Sequence, residues 1–258
     1  MVKPDNRDDY IQSIERGLSV ILAFANHHPQ LSLSALAEAT GLSKPTVRRI
    51  VLTLEELGYL RREGRLYSLT PHVLSLGNAY LSSMNLTEVA QPFMEEVTST
   101  TGQTCSMAAL DGEDAVYIAR VPAGRVMSIT LTTGTRLPAY ATSMGRVLLA
   151  GLADGEIDRF LGQVTLHPLT PRTVTDVDRL REILFEVREH GWALVDQELE
   201  EGVRSFSAPV RDSTNRVVAS LSMSCHAANV SMETIHNEYL PVVIKAAAEI
   251  STRLGATR

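Results

Sequence analysis

Lys44, Thr46, Arg48 and Arg49 form the most chemically suggestive cluster in the sequence. Lys44 and Arg48 stand four apart, so a helix brings them to one side, with Thr53 flanking. A helix whose first turns present lysine, threonine and arginine suits the major groove of double-stranded DNA, against base edges or phosphates. Ser43 precedes it as a helix cap, and Pro45 fits the first helical turn. Arg61, Arg62 and Arg65 follow within GYLRREGRLYSLT, near the tip of an expected hairpin. Such a basic wing lies along phosphates or enters the adjacent minor groove. Taken alone, this charge reads as the solvated face of an amphipathic hairpin. The order of signals (helix, helix, glycine turn, capped basic helix, basic hairpin) favours DNA.

A second cluster lies far downstream. A helix beginning at Ala141 leaves the amides of Thr142, Ser143 and Met144 as donors, a ready site for an anion. Ser222 and Ser224 stand two apart on an expected strand and share a face. Amides and hydroxyls together suit a carboxylate ligand, with Arg120 and Arg136 as candidate cations by position only. Each serine also reads as an ordinary strand hydroxyl bonded to backbone.

Enzyme chemistry finds little support. TSMG at 142–145 echoes a nucleophile elbow, but Ala141 stands where that motif needs its first glycine. No motif ties His167 or His226 to it. Cys225 and His226 are adjacent on an expected strand and point to opposite faces, which does not suit a shared metal. No phosphate-loop or dinucleotide glycine pattern occurs, so no cofactor is implied.

The elements that must position these groups are legible from periodicity. Residues 10–28 read as a helix capped at Ser13, with Ile14, Leu18, Ile21, Leu22 and Ala25 inward. A short helix over 33–40 turns Leu36 and Ala39 inward and ends at Gly41. The basic helix buries Val47, Ile50, Val51, Leu54 and Leu57 and closes at Gly58. Strands follow at 59–62 and 66–69. Residues 71–84 are apolar on too many sides for one stripe, which suits either a dimer interface or a connector packed on its own chain. Beyond 86 the pattern is mixed: a helix at 88–100, strands at 104–110 and 115–121 around Asp111-Gly112, and a strand at 125–132. Helices follow at 141–152, 154–161 and 176–190, the last capped by Thr175. Strands at 192–196, 203–210 and 216–224 precede a final helix at 231–254. This is an α+β chain: a winged helix-turn-helix over 1–70, a linker helix over 71–85, and an antiparallel sheet flanked by helices over 86–258.

Bulk properties agree. The 258 residues suit two domains. The net charge of -6 is unevenly spread: residues 1–85 hold nine basic and eight acidic side chains, and the rest hold 15 and 22. Between 43 and 65 there are six basic residues against three acidic ones, so the positive surface is local. Two cysteines suit a reducing cytoplasm. The first residues lack the apolar core of a signal peptide, and no run is long enough to span a membrane, so no membrane partner is expected.

Long ordered strings across the whole chain resemble the IclR (isocitrate lyase regulator) family of transcription regulators. The first part rests on SIERGLSVILAF, LSALAEATGLSKPTVRRIVLTLEELGYL and YSLTPHVLSLG. The second rests on GTRLPAYATSMGRVLLAGL, GWALVDQELEEGVRSFSAPV and VVASLSMSCHA. The wording is nearest to regulators of aromatic-acid catabolism, those of the protocatechuate, p-hydroxybenzoate and β-ketoadipate pathways. The resemblance implies a GAF-like effector-binding domain, a homodimer, often a homotetramer, and a small organic acid as effector. It implies a pocket lined by Tyr140, Thr142, Ser143, Met144 and Gly145, by Asp196 and Glu198, and by Ser205, Ser222 and Ser224. Asp196 and Glu198 read most simply as loop acids, and several relatives carry cysteine in place of Ser205. The alternative is a ligand-independent DNA-binding protein whose second domain only dimerises or recruits a partner.

Overall fold

The computed structural model describes residues 10–25, 29–77, 86–123 and 132–257. The chain forms two compact units, Met1–Ser83 and Met84–Arg258.

The first unit contains α1 (Gln12–Leu22), β1 (Leu31–Ser32), α2 (Leu33–Thr40), α3 (Lys44–Glu56), β2 (Leu60–Glu63) and β3 (Leu66–Leu69). Ser32 caps α2 by accepting from the Ala35 amide at 3.2 Å. Gly41, at φ 68°, closes α2 in the left-handed region that its missing Cβ allows. Val20, Phe24, Leu36, Val47, Val51, Leu54, Leu60 and Tyr67 form the core. The small sheet runs β1-β3-β2, with β2 and β3 antiparallel around Gly64. The strand β1 has no counterpart in the sequence expectations, because two residues are too short to show a period.

Several expectations change here. The helix α1 begins at Gln12, with Ile11 in the cap position and no side-chain cap, so Ser13 lies inside it. It ends at Leu22, and residues 26–28 of the expected helix lie outside the described residues. Val20 and Phe24 face the core, while Tyr10, Ile11, Ile14, Leu18 and Leu22 are exposed. Of the expected inward residues only Ile21 packs against the core, so the expected face is largely the outward one. Ala39 and Leu57 are also exposed. Pro71–Val73 form a 3-10 turn capped by Thr70, and 74–77 are helical with Leu74 and Leu76 exposed. The remainder of the expected linker helix lies outside the described residues, as does nearly all of the expected strand at 125–132.

The second unit carries α4 (Leu86–Thr101), β4 (Thr104–Asp111), β5 (Asp114–Val121), β6 (Arg136–Pro138), α5 (Ser143–Ala150), α6 (Asp154–Gln163), α7 (Val177–His190), β7 (Ala193–Asp196), β8 (Val203–Arg211), β9 (Val217–His226) and α8 (Leu240–Arg253). The sheet is antiparallel throughout, in the order β6-β5-β4-β9-β8-β7. Helices α4 and α8 pack together against the sheet; α5 packs on β4, β8 and β9 and is backed by α7. Leu221, Met223 and Cys225 alternate with Ser220, Ser222 and Ser224 along β9, so one face is apolar and the other hydroxylated. Asp176, rather than Thr175, caps α7 by accepting from the Arg179 amide at 2.8 Å. The expected single helix at 231–254 is a short helical turn, a π-helical stretch at Ile235–Tyr239, and then α8. Pro241 sits in the first turn of α8 and has no amide to donate, and a π turn absorbs such a break.

Candidate functional site

The basic helix α3 presents Lys44, Arg48 and Arg49 fully to solvent, with Thr46 half-buried. Ser43 anchors its start: its Oγ accepts from the Thr46 amide at 3.4 Å and lies 2.9 Å from the Thr46 hydroxyl. Both hydroxyls are therefore occupied in shaping the helix end. Val47, Val51 and Leu54 fix α3 against α1 and α2, which leaves the cationic side outward. At the hairpin, Arg61 donates from Nε to Ser68 Oγ at 3.0 Å. The Arg62 guanidinium lies 5.9 Å from the Tyr67 ring centroid and donates to the Gly64 carbonyl. These contacts keep two arginines splayed along the hairpin, and Arg65 is exposed at its tip. The first unit thus offers a protruding helix end and an adjacent basic hairpin, both cationic and solvated.

In the second unit a cleft of about 940 Å³ opens at the end of the sheet where β4 and β8 begin and β5, β7 and β9 end. Its floor is a cross-strand row. Thr104 on β4 pairs with Ser224 on β9, which pairs with Ser205 on β8, so three hydroxyls line up across the sheet. Arg120 and Tyr117 on β5, Leu137 on β6, and Thr142 and Met144 at the start of α5 line one side; Val195, Leu199, Glu200 and Glu201 line the side of β7 and its turn. Burial pushes the Tyr117 phenol up to about 12, with the nearby Arg120 charge offsetting part of that, so the phenol stays protonated near neutral pH.

The next row inward runs Arg120, Ser106, Ser222, Ser207. Ser222 is buried there and donates to the Ser106 carbonyl at 3.4 Å, outside the cleft lining. Ser143 is fully buried and lies 2.7 Å from Ser207 Oγ, which ties α5 to the sheet. A nucleophile elbow would need that hydroxyl exposed.

The helix α5 begins at Ser143, two residues later than expected. Thr142 is its cap, accepting from the Gly145 amide at 3.1 Å, and its own amide is directed at the Ala139 carbonyl, so Thr142 contributes no free amide at the helix end. Gly145 serves close approach: a Cβ there would lie 2.2 Å from the Ala139 oxygen. Tyr140 is buried, and its hydroxyl bridges the backbone of His167, donating at 2.9 Å and accepting at 3.1 Å.

The two acids also have partners. Glu198 is buried against Arg146 and accepts from the Val174 amide at 2.9 Å. Asp196 accepts from Arg204 at 2.6 Å and Arg172 at 2.7 Å. Burial opposes its charge, but the Arg204 and Gln197 hydrogen bonds and the two guanidiniums together hold its carboxyl below the usual range. Between these acids Gln197 adopts φ 63°, and its side chain accepts from the Gly202 amide, closing the β7–β8 turn. Arg136 is spent outside the cleft, on Asp111 and Asp114 at the β4–β5 hairpin. Of the residues expected at a pocket, the cleft therefore gathers Arg120, Thr142, Met144, Ser205 and Ser224; Tyr140, Ser143, Gly145, Asp196, Glu198 and Ser222 are not among its lining residues. Thr104, Tyr117 and Tyr239 were missed. The alternation of β4, with Thr104 two residues before Ser106, was the one available signal for the first. Among the described residues no group of three or more His, Cys, Asp or Glu side chains is placed to hold a metal ion. No described helix is long and apolar enough to cross a membrane.

Comparison with known proteins adds the following. Residues 13–64 match the IclR helix-turn-helix domain, and residues 78–252 match the bacterial transcriptional regulator IclR C-terminal domain. The chain is 40% identical to the Pca regulon regulatory protein of Pseudomonas putida over 95% of its own length and 85% of that protein's. It is 34% identical to the p-hydroxybenzoate hydroxylase transcriptional activator of Acinetobacter baylyi, covering 94% and 92% of the two chains. An IclR homologue from Microbacterium hydrocarbonoxydans, solved in complex with 4-hydroxybenzoate, shares the fold with a TM-score of 0.83 at 24% identity, covering 95% of this chain and 100% of that one.

Proposed function

Since the chain belongs to the IclR family of bacterial transcription regulators, proteins that bind DNA rather than catalyse a reaction, we propose that its operator binding or polymerase contact is set by a small organic acid bound in the cleft of the second unit. The observation that carries this is the cleft itself. About 940 Å³ lined by hydroxyls, one arginine, two glutamates, a histidine and apolar side chains is the make-up of a small-molecule site, and more than a dimerisation module requires. The aromatic-acid regulators among its relatives, and the 4-hydroxybenzoate held by a homologue, support an aromatic-acid metabolite as the effector.

We assign residues 1–70 to DNA binding, 71–85 to the linker, and 86–258 to effector binding, in a cytoplasmic protein. The exposed apolar side of α1 supports a homodimer, which presents two recognition helices to two half-sites; a homotetramer through the second units extends the same scheme. Effector and operator then alter each other's affinity reciprocally. Fluorescence anisotropy with the operator, with and without acid, is the test. A shift in affinity or in transcription from the operator in vitro supports the reading, and no change in either with a bound acid overturns it.

A further inference from the structure

Two rows of residues on α3 share one spacing and face opposite ways. Val47, Val51 and Leu54 form the buried row. Pro45, Arg49 and Leu52 repeat that spacing two residues earlier, about 200° round a helix of about 3.6 residues per turn, and all three are exposed. Leu52 is 40% exposed beside cations rather than packed in the core. Lys44 and Arg48 lie about 100° to one side of this outer row. On the other side the hydroxyls are engaged within the helix end: Thr46 bonds Ser43 at 2.9 Å, and Thr53 donates to the Arg49 carbonyl at 3.0 Å. No asparagine or glutamine occurs on α3, so the helix lacks the side chains that read adenine in bidentate fashion. The outer row therefore offers one guanidinium between two apolar groups.

Resting on the assignment of the first unit to DNA binding, we propose that this row reads the operator half-site: Arg49 takes the O6 and N7 atoms of a guanine, and Pro45 and Leu52 press on the C5-methyl groups of thymines on either side of it. Lys44 and Arg48 hold phosphates. In the major groove guanine displays two acceptors that a planar guanidinium fork matches, and thymine displays a methyl group that apolar side chains contact. Pro45 and Leu52 stand about 10 Å apart along the helix axis, which spans about three base-pair steps of about 3.4 Å, so the guanine falls between the two thymines. Glu56 continues the row at the last turn of α3, where its charge keeps that end away from the phosphates. The readout thus belongs to the first turns of the helix.

Selection from a random duplex library with the full-length protein supplies the bound sequence. Fluorescence anisotropy then compares it with duplexes carrying uracil for single thymines, an exchange that removes only the C5-methyl group. The wild type is expected to lose about fourfold in affinity for uracil at one position on each side of a guanine, the equivalent of one buried methyl group each. In Leu52→Ala one of these losses disappears, and in Pro45→Ala the other. Each variant binds its own uracil duplex within about twofold of the wild type, which controls for folding. Arg49→Ala removes the preference for the guanine, while Lys44→Gln with Arg48→Gln weakens selected and scrambled duplexes alike. If uracil weakens binding at no thymine near a guanine, or if either Leu52→Ala or Pro45→Ala keeps both losses, the proposal is overturned while the DNA-binding assignment stands. A Leu52→Ala variant that alters sedimentation and keeps both losses assigns Leu52 to a contact between copies, and overturns it too. If no duplex is enriched, the proposal and the assignment both fall.

Discussion

The guanidinium of Arg146 meets the carboxylate of Glu198 fork to fork, with Nη1–Oε1 at 2.7 Å and Nη2–Oε2 at 2.6 Å, and both side chains are buried. Arg146 also donates from Nε to the Tyr140 carbonyl. This pair joins the start of α5, which carries Thr142 and Met144 into the cleft, to the β7–β8 turn, which carries Leu199 and Glu200. Removing one partner leaves a buried charge uncompensated. Glu198→Gln is expected to cost about 3–5 kcal/mol in urea unfolding, while Arg146→Met combined with Glu198→Leu recovers most of it. A loss below about 1 kcal/mol for the single variant is incompatible with this account.

The exposed arginines of the first unit divide by place. Arg49→Ala, on the outward side of α3, is expected to weaken operator binding by about 1–3 kcal/mol and to relax specificity at one base pair. Arg65→Ala, at the hairpin tip, is expected to weaken all sequences alike and reduce the salt slope by about one. Titrations against operator and scrambled DNA at several salt concentrations distinguish the two. Unchanged operator binding in Arg49→Ala places the recognition surface elsewhere.

Leu18 is 49% exposed on α1, between Ile14 and Leu22 on the same stripe. If that stripe is the dimer surface, Leu18→Lys is expected to shift the protein toward monomer in analytical ultracentrifugation and lower operator affinity, without lowering the unfolding midpoint of the monomeric unit. A variant that sediments like the wild type removes α1 from the interface.

Asp196 gives a pH dependence of known sign. Its carboxyl is held below its unfolded value of about 3.9, so its contribution is complete above that value and is lost as pH falls through the lower, folded one. Asp196→Asn is expected to cost about 1–3 kcal/mol near neutrality. The difference from wild type is expected to hold down to about pH 5 and shrink toward pH 3. A difference that grows on acidification contradicts the assigned partners.

Long periodic elements were legible in the sequence, and so was the capped basic helix, because each rests on neighbours within a turn. The inward side of α1 was not. That helix is apolar on several sides, and periodicity finds a stripe without saying whether its partner is the chain's own core or another surface. Val20 and Phe24 meet Leu36 and Val51 in the core, and Ile14 and Leu18 meet none of it. The role of Glu198 was hidden for a related reason: its partner lies 52 residues away in sequence, and nothing local distinguishes a loop acid facing a ligand from one facing an arginine. Arg120 and Arg136 looked alike by position. The hairpin turns Arg136 onto Asp111 and Asp114, while the register with Ser106 places Arg120 on the cleft face.

The row Thr104, Ser224, Ser205 takes its geometry from the backbone ladder rather than from its own side chains. Ser224 and Ser205 are therefore exchangeable for cysteine, alanine or valine at small cost to the fold, while each exchange rewrites what the cleft accepts; Thr104 is less free, because its hydroxyl also accepts from the Ala123 amide at 3.1 Å. Such a floor lets a regulator acquire a new inducer by one or two point mutations, and it makes the identities at these three positions a basis for sorting its relatives by the compounds they sense.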